Sequence, residues 1–338
     1  MIKQLSNQTG IKPAESKNSV KKILSQIAPA FALIVIFLIF TIVSKDFFRY
    51  ENMMNIFKQT AINALISAGM LIVLITAGID LSVGAVCALA TCIAGLTMKA
   101  GLSSPILIIL ICVGIAALMG FFNGILLTKL RLPHPFISTL GTQNIARGLA
   151  LFLTGAAPIN KFPDGVTALG YSTIGGFPVS FIAVLVIFVV IHIFLNKTAL
   201  GRQIYCIGGN IEAAKLSGIR TNKVLLICYT LTGVLVGIAG WVMIGRVDAA
   251  YPLTGEGFET DAIAACIIGG ASFSGGKGTI WGTLIGALLI SVIRNGLNLV
   301  GASSYLQQIV IGAVIILAVF IDVMREQLEM KARRLAAQ

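Results

Sequence analysis

The chain has 338 residues, of which 57% are hydrophobic and 11% charged, and its formal net charge is +12 at pH 7. Soluble domains carry about a quarter charged residues, so this composition excludes an ordinary globular domain and predicts a polytopic membrane protein. The basic residues lie in two tails and one loop rather than in a stripe with aromatic residues, which argues against nucleic acid as a partner and favours orientation in membrane lipid.

Ten apolar stretches approach or reach the length of about 20 residues that a membrane-spanning helix needs. They are residues 26–44, 60–78, 81–98, 105–128, 135–153, 177–196, 224–245, 262–274, 279–299 and 304–322. The fifth and eighth stretches are short or interrupted by glycine, so eight full spans plus two broken or re-entrant segments fit equally well. The predicted fold class is an all-α polytopic membrane protein with about ten (8–10) transmembrane helices.

The distribution of lysine and arginine predicts that both termini face the cytoplasm. With ten spans, the basic tails 1–26 and 324–338 and the loop 197–223 fall on one side of the membrane, and cytoplasmic loops are enriched in these residues. We expect residues 27–323 to form a single transmembrane domain. The loop 246–261 then faces the opposite side.

Glycine pairs four residues apart predict close helix packing within the membrane. A small residue at every fourth position lets two helix backbones approach each other in lipid. The pairs are Gly120 with Gly124, Gly233 with Gly237 and Gly282 with Gly286.

One carboxylate lies in an otherwise uncharged part of the chain. Asp80 belongs to the sequence TAGIDLSVGA, residues 76–85, and no other Asp, Glu, Lys or Arg occurs between Lys58 and Lys99. An ionised side chain at membrane depth costs at least about 2.5 kcal/mol unless it is paired or faces water. Asp80 is therefore a candidate functional residue.

Two roles of Asp80 are compatible with the sequence. In the first, Asp80 and Ser82 line the translocation path and offer hydrogen bonds to a polar substrate. In the second, Asp80 caps a helix that begins at Leu81 or pairs with Arg147 or Arg294. Sequence alone leaves both open.

Three asparagines in apolar stretches are further candidates for the translocation path. They are Asn144, Asn295 and Asn298. Each can equally serve as a hydrogen-bonding group between helices. The two histidines, His134 and His192, form no catalytic or metal-binding pattern, so we expect no enzymatic activity, no cofactor and no metal.

The loop 197–223 is longer than the 2–8 residues that usually connect neighbouring helices. Its Gly208, Gly209 and Asn210 predict a turn, and Asn210 predicts the N-cap of a short helix over 211–217 that ends at Gly218. Such a helix can dock on a partner protein or lie on the lipid surface. It presents Ile211, Ala214 and Leu216 to that partner or to the membrane.

Four segments resemble a known family in order and spacing. They are TAGIDLSVGA at 76–85, LGRQIYCIGGNIEAAKLSGI at 200–219, ETDAIAACIIGGASFSGGKGTIWGTLIGALL at 259–289 and NGLNLVGASSYLQQIV at 295–310. The resemblance extends from about residue 45 to residue 323. It is to the ribose-type permeases, the membrane subunits of bacterial ATP-binding-cassette importers for monosaccharides and related compounds.

This resemblance implies a multi-pass permease of the bacterial inner membrane that hydrolyses nothing itself. Its implied partners are cytoplasmic ATPase subunits, a periplasmic sugar-binding protein and a second permease chain, either another copy or a close relative. The segment 201–218 matches the coupling loop of the family, which enters a cleft of the ATPase. The positions carried over are Gly201, Arg202, Gly208, Gly209, Asn210, Glu212, Ala213, Ala214, Ser217 and Gly218.

The loop 246–261 predicts an acidic outer rim. Glu256, Glu259 and Asp261 can offer partners to basic residues of the binding protein. The alternative function is an ion-coupled secondary transporter of a small polar solute, which is also built from glycine-broken helices. That alternative needs coupling groups near the middle of the membrane, and Asp80 is the sole candidate.

Overall fold

The computed structural model describes residues 15–130, 132 and 134–336. These residues form thirteen helices and four strands of two residues each. The helices are α1 Glu15–Val43, α2 Tyr50–Ile75, α3 Val83–Lys99, α4 Pro105–Thr128, α5 Pro135–Thr154, α6 Asp164–Tyr171, α7 Val179–Lys197, α8 Ala199–Gly209, α9 Ile211–Leu216, α10 Thr221–Val247, α11 Phe258–Ile268, α12 Ile280–Leu299 and α13 Ser304–Ala336. The strands are β1 Ile159–Asn160, β2 Thr173–Ile174, β3 Phe177–Pro178 and β4 Ala249–Ala250.

Each of the ten predicted apolar stretches overlaps a helix, namely α1 to α5, α7 or α10 to α13. Within the described residues, six helices are long and apolar enough to cross a membrane: α2, α4, α7, α10, α12 and the part of α13 over Ser304–Met324. The apolar part of α1 and the whole of α3 are shorter. The all-α polytopic class is therefore confirmed, whereas ten spans and cytoplasmic termini stay predictions. Residues 1–14 and 337–338 of the predicted basic tails lie outside the described residues.

Helix α2 is the centre of the bundle. All its residues from Ala64 to Ile75 are buried, whatever face of the helix they occupy. A helix that is apolar all round needs neighbours on every side, and α2 is surrounded by α7, α10, α11 and α12. Its C-terminal end is consequently held by several elements at once.

Glycines bring α4 and α10 into backbone contact, as predicted from their spacing. A β-carbon on Gly120 would collide with the carbonyl oxygen of Tyr229, and one on Gly233 would collide with the backbone of α4. Gly124 and Gly237 also lie close to the opposite helix, against Leu226 and Val113. The two glycine pairs therefore interleave in one interface.

Helix α11 is shorter than the stretch 262–274 from which it was predicted. It ends at Ile268, because Gly270 takes a φ of +91° and the following residues to 279 leave the helix. Its eleven residues span about 16 Å, roughly half of the hydrocarbon core. A break after a short helix agrees with the broken-segment alternative for this stretch, whereas α5 is an unbroken helix; the number of segments that cross the membrane stays a prediction. Gly286 of α12 lies against the backbone of α11 at Ala265, and Gly282 lies against Gly269, which follows α11.

A small folded layer covers the end of the bundle where α10 terminates. Strand β1 pairs antiparallel with β4, and β2 pairs with β3. Helix α6 lies on α10, and the indole N–H of Trp241 donates to the carbonyl oxygen of Val166 at 2.7 Å. Elements of two to eight residues leave no periodic pattern in the sequence, so this layer was not predicted.

Candidate functional site

The loop 197–223 contains the short helix that its sequence predicts. The Oδ1 atom of Asn210 accepts hydrogen bonds from the backbone N–H groups of Glu212 and Ala213, at 3.0 and 2.9 Å. These bonds satisfy amide groups that the first turn of α9 leaves free. The helix ends at Leu216, and Gly218 follows with a φ of +80°. The predicted cap and stop are both confirmed.

A second helix precedes α9 and was not predicted. Helix α8 begins after Thr198, whose hydroxyl oxygen accepts from the N–H of Gly201 at 3.0 Å. Gly208 and Gly209 are its last two residues, so the prediction that they form a turn with Asn210 is wrong. Gly208 has no Cβ, which lets α8 run close to the end of α2, whereas a Cβ on Gly209 would meet open space.

The ten positions that the family resemblance assigns to the coupling loop differ in their exposure. Seven are exposed: Arg202, Gly209, Asn210, Glu212, Ala213, Ser217 and Gly218. Gly201 and Ala214 are buried, and Gly208 is half-buried. These three residues face the permease, so the expectation that they enter a cleft of another protein is corrected.

The apolar face predicted for α9 is also different in the structure. Leu216 is 90% exposed and Ile211 40% exposed, whereas Ala214 is only 4% exposed. Ala214 points inward because α9 packs on α8 and α10 with that side. Leu216 and Ile211 remain as exposed apolar groups of α9, with Leu216 the more exposed of the two.

Helix α8 interlocks with two other segments at its C-terminal end. A β-carbon on Gly208 would overlap the carbonyl oxygen of Ile75 at the end of α2. That same oxygen accepts a hydrogen bond from the N–H of Gly276 at 2.8 Å. The hydroxyl of Tyr205 donates to the carbonyl oxygen of Gly278 at 2.8 Å. Burial raises the pKa of Tyr205, so the hydroxyl keeps its proton and remains a donor.

Asp80 lies in a buried polar cluster between α2 and α3. Asp80 is 2% exposed. Its Oδ1 atom accepts hydrogen bonds from the N–H and the hydroxyl of Ser82, at 2.9 and 2.6 Å. The amide of Asn123, on α4, donates to the Ser82 hydroxyl at 2.9 Å and lies 3.5 Å from Asp80. Helix α3 begins only at Val83, so Asp80 closes the turn before the helix rather than capping a helix at Leu81.

Asn123 is a cluster residue that the sequence analysis missed. It is fully buried in α4, and its Oδ1 atom has no hydrogen-bond partner among the described residues. An asparagine inside the apolar sequence FFNGI is the same signal that selected Asn144 and Asn295. The signal was therefore present, but nothing in the sequence connects Asn123 to Asp80.

The two arginines proposed as partners of Asp80 bind elsewhere. Arg147 donates from Nη1 to the carbonyl oxygens of Pro252 and Thr254, at 2.6 and 2.8 Å. Arg294 forms a bidentate ion pair with Asp261, with N–O distances of 2.7 and 2.6 Å. The predicted pairing with Asp80 is wrong, since both guanidinium groups are committed to the segment 252–261.

The three acidic residues predicted for the outer rim have different environments. Glu256 is exposed, and Glu259 is half-buried with its Oε1 atom 3.4 Å from the amide nitrogen of Gln143. Asp261 is 4% exposed and neutralised by Arg294. Asp261 is therefore withdrawn from the docking residues, because a buried and paired carboxylate cannot contact another protein.

The three candidate asparagines do not gather around Asp80. Asn144 is exposed on α5 and donates to Leu140 of its own helix. Asn295 is buried in a reciprocal amide pair with Asn52, at 2.9 and 2.8 Å. Asn298 is exposed and accepts from Gln307 at 2.7 Å. Only Asn298 shares a cavity with the acidic residues Glu256 and Asp261.

Comparison with known proteins decides the family. Residues 52–319 match the family model described as "Branched-chain amino acid transport system / permease component". The chain belongs to this permease family. The chain is 41% identical to the ribose import permease of Bacillus subtilis (strain 168), over 89% of this chain and 93% of that protein. No solved structure matches it.

Two further relatives are import permeases for other sugars. The D-allose transport system permease of Escherichia coli (strain K12) is 39% identical, over 86% of this chain and 90% of that protein. The galactose/methyl galactoside import permease of the same strain is 37% identical, over 86% and 91%.

These permease relatives confirm several expectations about the chain. It is a multi-pass protein of the bacterial inner membrane and a non-catalytic transport subunit. The relatives give no support to an ion-coupled secondary transporter. Among the described residues, no group of three or more His, Cys, Asp or Glu side chains could hold a metal ion.

Proposed function

We propose that this permease carries a monosaccharide through the membrane as the spanning subunit of an ATP-binding-cassette importer. The observation that supports it most is 41% identity to a ribose import permease along almost the whole of both chains. Ribose is the first candidate sugar. The allose and galactose permeases are only slightly less similar, so a hexose is the second candidate.

A separate cytoplasmic ATPase supplies the energy, and a periplasmic binding protein delivers the sugar. The seven exposed positions of the segment 201–218 are the proposed contact with the ATPase. Glu212 and Ala213 are exposed on α9, Ser217 follows its last residue, and Leu216 adds an exposed apolar group beside them. Gly201, Gly208 and Ala214 have a different role in this proposal, which is to attach the two helices to the permease.

Movement of α8 would be transmitted by its interlock with the bundle. Closure of the ATPase subunits displaces α8, which cannot slide past the end of α2 because Gly208 already contacts the carbonyl of Ile75. The bond from Tyr205 to Gly278 connects the same movement to the segment leading into α12. Packed elements move as rigid bodies, so a small displacement is carried into the spans.

The remaining architecture follows the same proposal. We expect both termini on the cytoplasmic side and about ten membrane segments, of which α11 is half the usual length. Residues 27–323 form a single permease domain, and a second permease chain lies beside this one. Exposed apolar side chains of α5, such as Ile145 and Phe152, need either lipid or that second chain to cover them. Glu256 is the favoured contact for the binding protein, and Glu259 lies beside it.

Asp80 and Ser82 are proposed to shape the turn before α3 at the edge of the path. Their mutual hydrogen bonds, with Asn123 as a third member, leave little capacity for a substrate. A path for a weakly held sugar needs polar groups that water can reach. Asn144 and Asn298 satisfy that condition better than the buried Asn295, because both are exposed.

The test is ATP hydrolysis in proteoliposomes that contain this chain, its ATPase and a binding protein loaded with ribose, allose or galactose. We expect one loaded binding protein to stimulate hydrolysis and sugar uptake. Glu212→Arg should abolish both, since it reverses an exposed charge on α9, whereas Glu51→Arg makes the same change at the exposed start of α2 and should keep them. An unchanged hydrolysis rate with every loaded binding protein would refute the importer.

A further inference from the structure

The segment between α11 and α12 contains a compact turn over residues 272–278, which we call the glycine turn. The N–H of Ser272 donates to the carbonyl oxygen of Lys277 at 3.2 Å, and the N–H of Gly275 donates to the carbonyl oxygen of Ser272 at 3.1 Å. Gly275 and Gly276 have φ angles of +83° and +71°, which residues with a side chain rarely adopt. Because the turn is closed on itself, a displacement of one part carries the rest with it.

The glycine turn lies against α8 and the end of α2. A β-carbon on Gly275 would come within 2.8 Å of Ala77 and 3.0 Å of the carbonyl oxygen of Gly208. The N–H of Gly276 donates to the carbonyl oxygen of Ile75 at 2.8 Å. These contacts leave no free space between the turn and α8. The position of the turn and the position of α8 are therefore linked.

A carboxylate of α13 holds the other end of the glycine turn. The Oδ2 atom of Asp322 accepts hydrogen bonds from the N–H of Phe273 at 3.2 Å and from the hydroxyl of Ser272 at 3.4 Å. Turns of this kind present backbone N–H groups that attract anions, and here the anion belongs to the same chain. Asp322 is 50 positions from Ser272, so the contact attaches α13 to the turn across the fold.

A cavity of about 130 Å³ adjoins Asp322 between α1, α11 and α13. Its other lining residues are apolar: Pro29, Ala32, Ile267, Ile268, Ala318 and Ile321. Asp322 itself is half-buried. Removal of its carboxylate therefore enlarges an existing space rather than unpacking a filled core. The enlarged space is suited to a small anion such as formate.

We propose that Asp322 is a positioning residue for transport, which fixes the glycine turn so that movement of α8 is carried into the bundle. The inference rests on the proposed import function and adds to it a residue of α13. With Asp322 in place, a displacement of α8 pushes on a turn that is held at both ends, and α11, α12 and α13 follow. Without Asp322 the turn yields, because its glycines change conformation easily. ATP is then hydrolysed with less sugar moved.

The experiment measures sugar uptake per ATP hydrolysed by the complete importer in proteoliposomes with its loaded binding protein. Asp322→Ala should lower this ratio about fivefold while hydrolysis continues, which corresponds to lost hydrogen bonding of about 1 kcal/mol. Asp164→Ala is the matched control, because it removes an exposed carboxylate from α6, far from the glycine turn in the sequence, and should keep the wild-type ratio.

Formate separates positioning from a general loss of stability. When it is present on both sides of the membrane, formate should occupy the space that Asp322→Ala leaves and accept the hydrogen bond from Phe273. We expect it to restore most of the lost uptake ratio in Asp322→Ala and to leave the wild type and Asp164→Ala unchanged. Chloride at the same ionic strength should restore nothing, since it lacks the shape of a carboxylate.

A wild-type uptake ratio in Asp322→Ala would overturn the positioning role while leaving the importer intact. A reduced ratio that formate does not restore would also overturn it. If Asp322→Ala fails to assemble, Asp322→Asn decides: it keeps an acceptor oxygen, and the ratio should fall about twofold because hydrogen bonds to an ionised group are about twice as strong. A wild-type ratio in Asp322→Asn would then overturn the proposal. Absence of uptake and of stimulated hydrolysis in the wild type would instead refute the proposed function.

Discussion

Replacement of Gly208 by alanine tests the interlock between α8 and the bundle most directly. A β-carbon at this position would overlap the carbonyl oxygen of Ile75 and come close to the N–H of Gly276. Both contacts are backbone atoms, so no side-chain rotation can relieve the overlap. Either α8 must move away, or the end of α2 and the segment at Gly276 must separate.

The expected cost follows from these contacts. An extra methyl group in a well-packed position typically destabilises a protein by about 1–3 kcal/mol. Loss of the hydrogen bond from Gly276 to Ile75 would add about 0.5–1.5 kcal/mol. The neighbouring Gly209 has nothing within 4 Å of an added β-carbon and lies in the last turn of α8. Gly209→Ala should therefore be neutral or stabilise by up to about 1 kcal/mol.

The assay compares the unfolding midpoints of the two variants in detergent with sugar uptake per ATP hydrolysed in proteoliposomes. Gly208→Ala should lower the midpoint and reduce uptake more than hydrolysis, since the displaced α8 transmits less movement. Gly209→Ala should keep the wild-type midpoint or raise it slightly. Equal midpoints and equal uptake ratios for the two variants would show that α8 is not locked against α2.

Three other substitutions test contacts on which the proposed mechanism depends. Tyr205→Phe removes one hydroxyl donor and should cost about 0.5–1.5 kcal/mol, with a reduced ratio of uptake to hydrolysis; a ratio equal to wild type would remove Tyr205 from the transmission. Asp261→Asn leaves the cation of Arg294 uncompensated and should destabilise by about 3–5 kcal/mol in a melting experiment, and a midpoint equal to wild type would contradict the buried pair. Asp80→Asn keeps an acceptor oxygen for Ser82 and should retain uptake, whereas Asp80→Ala should lower the melting midpoint; loss of uptake in Asp80→Asn with an intact midpoint would instead assign the charge itself a transport role.

The predictable parts of this protein are those that local sequence determines. Asn210 and Gly218 delimit α9 because an N-cap and a left-handed C-terminal glycine act within one or two turns. The glycine pair on α4 meets that on α10 because a spacing of four places both members on one face. Such features need only the neighbouring residues.

Pairings across the bundle could not be read from the sequence. Asp261 and Arg294 are 33 positions apart. From the sequence, Arg147 and Arg294 were both plausible partners of Asp80, but in the structure both bind other residues. Ala214 is buried because α9 packs on α8, and the sequence did not predict α8. A charge in an apolar segment identifies a residue that needs a partner, but the choice among distant partners is made by tertiary packing.

Helix α11 connects the cavity beside Glu256 and Asp261 to the segment that contacts Gly208. Asp261 in its first turn belongs to the wall of that cavity, and Gly269 at its end packs against Gly282 on α12. The segment that follows reaches Gly208, since Gly276 shares the carbonyl of Ile75 with it. A continuous series of contacts is not by itself coupling. The affinity of the loaded binding protein, measured in Gly208→Ala, decides the matter. A changed affinity would mean that the two ends of the bundle communicate, and an unchanged affinity would confine the effect of Gly208 to the end that contains α8.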